Sequence, residues 1–205
     1  VITISVKHNF PEVQRRLRAL QADLRDRVMV AALNKTADKA RTEMVRGITT
    51  EFNLKASEVR PRVAVRRASA KGSNLRVVAT IEALPGSRRG RSMNVIRFLE
   101  KSVSLAEARR RQKSGTLNQL RFKFKRTGGL KTIPGAFVLT ANRGTFVARR
   151  LGKARTPIEA VQVIDVPQMF NAQRINKRVL DRIRQEFPIE FDRAARLALE
   201  RFNRG

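Results

Sequence analysis

The chain of 205 residues has no cysteine, no tryptophan and no tyrosine, and His8 is its one histidine. Without cysteine there is no disulfide, no thiolate nucleophile and no cysteine-bound metal, which fits synthesis in the cytosol. No apolar run reaches the roughly 18 residues that a membrane span needs, so no membrane partner is expected. Val1 to Val6 is too short, and too regular in its alternation, to read as a signal peptide. Acidic residues are also scarce, 17 against 45 Lys and Arg. In the β-rich region Glu82, Glu159 and Asp165 stand apart from one another, so no paired carboxylates are marked for acid–base or metal-assisted chemistry. No Gly-rich phosphate loop of Walker or dinucleotide type occurs. The sequence therefore marks no catalytic, cofactor-binding or metal-ligating residue, and no enzyme is expected.

What it does have is positive charge. The formal net charge is +28, which attracts polyanions and repels copies of the same chain. The excess is uneven. Residues 1–59, 127–165 and 166–205 each carry a net +4, whereas residues 60–126 carry +16. The helical ends have the mixed charges of solvated helix faces. The middle third concentrates its excess on hairpins and loops, and Arg66, Arg67, Arg88, Arg89, Arg91, Arg109, Arg110, Arg111 and Lys113 are the candidate polyanion-facing residues. Contacts from such residues to phosphate would set affinity and salt dependence without reading base sequence. With only Phe available as a stacking platform, single-strand recognition has little to build on.

Periodicity orders the elements. Ile2, Ile4 and Val6 alternate as in a half-buried strand. Asn9, Pro11 and Glu12 open a long helix that Gly47 is placed to stop. That helix has two apolar stripes, Val13, Leu17, Leu20, Leu24 and Val28, then Val30, Leu33, Ala37, Ala40 and Met44. At ~100° per residue they fall on nearly opposite faces. Either the helix breaks near Met29, or its halves pack against different bodies. On the second alternative Val30, Leu33, Ala37, Ala40 and Met44 form a subunit interface. Arg62 to Ala68 and Leu75 to Ala83 read as a hairpin, Ser102 to Ser114 as a basic helix, and Leu120 to Arg126 as a strand with Phe122 and Phe124 inward. From Val166 a helical stripe continues through Ile175, Val179, Ile183, Phe187 and Phe191 to Phe202, across Pro188, which calls for a kink or two collinear helices.

Between these lies the stretch around which the chain is organised. Ile133 to Thr140, Thr145 to Arg150 and Arg155 to Val163 are β-rich runs separated by turn residues, and Pro167 suits the first turn of a helix. A Pro-Gly-Ala-Phe strand at 134–137, an Arg-Thr-Pro-Ile strand at 155–158 and Val166-Pro167-Gln168-Met169-Phe170 follow in that order. Together with Ala32 to Thr42, Leu54-Lys55 and the basic run Arg62 to Ala68, they resemble the minor tail protein Z family of tailed bacteriophages.

The resemblance implies a virion structural protein at the head-proximal end of the tail, acting in tail completion and head–tail joining and assembled in the host cytoplasm. Its expected partners are further copies in a ring, hexameric by analogy with tail symmetry, neighbouring tail and neck proteins, and DNA in the tail duct. A stand-alone, sequence-independent nucleic-acid-binding protein is the alternative that charge alone supports. The expected fold is α+β in one domain: a mostly antiparallel sheet of five to seven short strands, packed by a long N-terminal helix and a C-terminal helical arm. Its parts are residues 1–59 (strand plus long helix), 60–165 (basic and β-rich) and 166–205 (helical arm).

Overall fold

The computed structural model describes residues 2–4, 22–69, 79–83, 93–100, 104–114, 119–141, 144–152, 154–171 and 173–202. Two helices of 30 residues each, α1 (Ala22–Glu51) and a C-terminal helix (Gln173–Phe202), run antiparallel along one another. Contacts fix the direction: Val28 shares a cluster with Phe187 and Phe191, Lys39 meets Glu186, and Gly47 meets Ile175. Between them in sequence come the short helix α2 (Ala56–Val59), α3 (Leu105–Lys113) and α4 (Val166–Phe170), so the C-terminal helix is α5.

The strands form four small antiparallel sheets rather than the single sheet expected. In the first, β3 (Thr80–Ala83) lies between β1 (Ile2–Ile4) and β2 (Val63–Arg66). This pairs the expected N-terminal strand and the expected hairpin, although the turn at 70–74 lies outside the described residues. A β4 (Met93–Asn94) pairs with β10 (Gln162–Val163), and β5 (Arg121–Phe122) with β6 (Lys131–Thr132). The last sheet is β7 (Ala136–Ala141), β8 (Gly144–Arg150) and β9 (Ile158–Ala160). Gly144, φ +104°, opens β8 in a backbone conformation that disfavours any side chain.

Broken sheets leave backbone groups that must find other partners. Three amide side chains supply them, each donating with its nitrogen and accepting with its oxygen. Asn34 bridges the N–H and C=O of Ala68 at 2.8 and 3.0 Å, and Asn94 does the same for Val147 at 3.0 Å each. Gln112 accepts from the N–H of Val138 at 2.9 Å and donates to the carbonyl of Ala136 at 3.2 Å, which covers the free edge of β7. One apolar cluster draws on α1, the sheets and α5 together, including Met44, Ile48, Phe98, Phe122, Val147, Phe170 and Val179. Burying side chains of this size stabilises a fold by about 1.5–3 kcal/mol each.

Helix α1 corrects two expectations. It passes Met29 unbroken, and its buried sector is wider than either stripe. Ala32 and Thr36 lie between the stripes in helical angle and are 0% and 4% exposed. Leu33, Ala37, Ala40 and Met44 are likewise buried inside the subunit, so they have no surface left for a neighbour. Of the expected interface residues, Val30 alone is only half-buried. The first stripe reaches the core at Val28, Leu24 is half-buried, and Val13, Leu17 and Leu20 lie outside the described residues. Nor does Gly47 stop the helix, which continues to Glu51 before the N–H of Arg126 takes up the Glu51 carbonyl at 3.0 Å. Gly47 is where α5 crosses: a Cβ there would sit 3.1 Å from Cγ2 of Ile175. A Gly47→Val subunit should therefore lose about 1–3 kcal/mol through overpacking. Combined with Ile175→Ala it should lose less than the sum of the two single changes. Urea denaturation of the four proteins checks this, and additive losses would place the strain elsewhere.

Candidate nucleic-acid interface

A basic hollow is built by α3 on the β7–β8 hairpin. Ser104 starts α3, its Oγ accepting from the N–H of Glu107 at 3.1 Å. Ala108 is buried, and with the Gln112 clamp it fixes the helix against β7. This orientation leaves Arg109, Arg110, Arg111 and Lys113 exposed. Arg110 and Arg111 each lie 2.7 Å from the Glu107 carboxylate, and their hydrogen bonds, that of Arg111 foremost, hold its pKa below the ordinary 4.5. Arg109 and Lys113 have no ion-pair partner among the described residues.

A shallow hollow of about 760 Å³ lies between Arg109, Arg110 and Lys113 on one side and Arg150 of β8 on the other, with Phe137 as part of its floor. None of its described lining residues is acidic. The Arg150 guanidinium lies 5.3 Å from the centroid of the Phe137 ring and donates to the Arg155 carbonyl, so it covers one ring face and stays oriented. The ring face under Arg150 is thus closed to a stacking base, while the surrounding cations remain open to phosphate.

The other residues marked in the sequence fall elsewhere. Arg66 on β2 lies 2.8 Å from the buried Glu82 carboxylate, and Arg67 lies 3.1 Å from Asp38 of α1. Neither lines the hollow. Both side chains are well exposed, 75% and 59%, so they keep polar surface toward solvent despite their partners. Arg88, Arg89 and Arg91 lie outside the described residues. Sequence reasoning missed Arg150, although the doublet Arg149-Arg150 ends an apolar strand. It missed Gln112 as well, whose role depends on a strand edge far along the chain.

A model of the family described as Prophage minor tail protein Z (GPZ) matches residues 11–204. The chain belongs to that family. It is accordingly a phage minor tail protein, a structural component of the virion rather than a member of an enzyme family. No curated protein and no solved structure matches it. No helix among the described residues is long and apolar enough to cross a membrane, and no three of their His, Asp or Glu side chains gather where they could hold a metal ion.

The hollow is carried by the α1–α5 pair, and the polar centre of that pair is a lysine between two carboxylates. Lys39 Nζ lies 2.5 Å from both Glu186 and Glu190 of α5, whose side chains are 9% and 3% exposed. Arg182 and Arg193 brace the same carboxylates at 2.7 and 3.8 Å. Hydrogen bonds to Glu186 and Glu190 raise the Lys39 pKa above 10.5, and the bond from Lys39 lowers that of Glu186 below 4.5. A depressed carboxylate stabilises the fold above its unfolded pKa and loses this contribution as pH falls through its folded pKa; a raised lysine loses its own as pH rises through its folded pKa. Replacing Lys39 by Met should therefore cost most stability at neutral pH, with the difference from wild type shrinking toward strong acid and strong alkali. Denaturation midpoints across a pH series measure this, and a difference independent of pH would remove the charge pair as its cause.

Proposed function

We propose that this minor tail protein acts at the head-proximal end of the tail, in tail completion and head–tail joining, as one subunit of a ring around the DNA path. Six copies match tail symmetry by analogy. The observation that carries the reading is the acid-free hollow of Arg109, Arg110, Lys113 and Arg150 on a chain of family-wide match and net charge +28. Its chemistry suits duplex backbone of any sequence, as DNA moving through a duct requires. Tail and neck proteins are the natural neighbours of such a ring.

A head-to-tail ring needs two different surfaces on each subunit. With most of the second α1 stripe inside the core, the candidates shift to apolar side chains that are exposed: Leu151 and Ile158 beside β9, and Ile189 and Leu199 on α5. Such faces oppose a charge repulsion that salt screens over roughly 8–10 Å at moderate ionic strength. A stand-alone nucleic-acid-binding protein has no closed ring to favour. Sedimentation of nuclease-treated protein across a salt series separates the two. A rise with salt to one closed species supports the ring, whereas oligomers that fall steadily with salt support the stand-alone reading.

A further inference from the structure

Away from the basic hollow, the N-terminal half of α1 and the C-terminal half of α5 line a groove of about 440 Å³. Its floor is apolar, with Leu24, Val28 and Ala31 on one wall and Ala194, Leu197 and Ala198 on the other. The lining as a whole, rim included, recurs at helical spacing over about three turns of each helix, ~16 Å, and its apolar side chains occupy about two turns of α1 and one of α5. The alanines keep the walls low, so a third helix can come close to both axes. Leu197 is 49% exposed, a large apolar side chain facing solvent beside a ready-made slot. Along the rim stand Arg27, Lys35, Arg193 and Arg201. The one acid among the described lining residues, Glu190, is 3% exposed and held by Lys39 at 2.5 Å; Arg193 lies 3.8 Å from it, and Arg27, Lys35 and Arg201 are the rim cations it does not reach.

We infer that this groove receives an acidic amphipathic helix from another protein. An apolar floor selects a helix with side chains at i, i+3 or i+4, and i+7, and a cationic rim selects Asp and Glu flanking that stripe. The two occupants nearest to hand bring the wrong charge. Residues 5–21 of this chain carry Lys7, Arg15, Arg16 and Arg18 against Glu12, and a second copy carries a net +28. Like charges at a rim penalise association, whereas complementary ones speed and orient it. The inference is independent of where DNA lies, because no groove residue belongs to the basic hollow.

The absence of cysteine supplies the probe, since Leu197→Cys introduces a single thiol. Three fluorescein-labelled peptides of about 15 residues serve as ligands. One has a leucine stripe flanked by Glu, one has the same stripe flanked by Lys, and one has the Glu composition in scrambled order. In the intact chain, maleimide should modify Leu197→Cys readily, and the ordered Glu peptide should slow the reaction. That peptide should bind at least about tenfold more tightly than the other two, and Arg27→Glu with Arg201→Glu should remove about tenfold of its affinity. Arg109→Ser with Lys113→Ser should leave it unchanged. Equal binding of the scrambled peptide would reduce the effect to bulk charge and overturn the inference. So would a thiol already protected in the free protein, which would assign the groove to the chain's own N-terminal segment or to a second copy.

Discussion

Glu186 and Glu190 stand one helical turn apart on α5, nearly excluded from water, and Lys39 of α1 reaches both. A buried carboxylate without its cation is costly, whereas a paired one adds little over a well-packed apolar group. The interaction therefore acts chiefly against alternatives. Any offset of α5 along α1 that moves Lys39 off these acids leaves them only Arg182 and Arg193 of their own helix, so the pairing favours one register of the antiparallel helices. That register sets Gly47 against Ile175 and brings Phe187 and Phe191 to Val28 and Leu33. On the other side of α1 the main cluster gathers Phe98, Phe122 and Val147, the side chains that hold the small sheets to the helices.

The sheets depend on that frame because they are too short to stand alone. Polar side chains complete what the ladders leave open: Asn34 takes both backbone groups of Ala68, Gln112 takes the N–H of Val138 and the C=O of Ala136 on the free edge of β7, and Asn94 takes both groups of Val147, whose C=O also accepts from the N–H of Val161. Arg62 and the cap of α4 work similarly. Asp165 accepts from the N–H of Val166 and from Arg62, both at 2.7 Å, while its own N–H donates to Gln168. The hollow inherits its shape from these clamps, since Gln112 sets the angle of α3 and hence where Arg109 and Lys113 point.

Elements whose cause is local were legible in the sequence. The β7–β8 hairpin follows from its turn residues and the entry to α4 from Pro167, and the basic helix read over Ser102 to Ser114 is where α3 lies. The C-terminal stripe was followed correctly through Ile175, Val179, Ile183, Phe187 and Phe191, and α5 contains Pro188 within a single span. Readings failed where the cause was distant. Counting large apolar residues split α1 into two faces, because Ala32 and Thr36, buried by the packing around α1, did not register as core. Gly47 read as a stop because the close approach of Ile175 cannot be seen from the helix itself. The division into four sheets, the pairing of Lys39 with Glu186 across 147 residues, and the meeting of Arg150 with α3 are tertiary facts with no local signature.

The helical pair is joined to a basic face that is proposed to lie against DNA in the assembled tail. A photo-crosslinking amino acid placed at Arg109 or Lys113 on that face, with Ile189 on α5 as the comparison position, tests this in DNA-filled particles. Crosslinks to DNA from the two α3 positions and none from Ile189 are the predicted result. Crosslinks from Ile189 alone, or no DNA crosslink from α3 in particles shown to contain the protein, would contradict it.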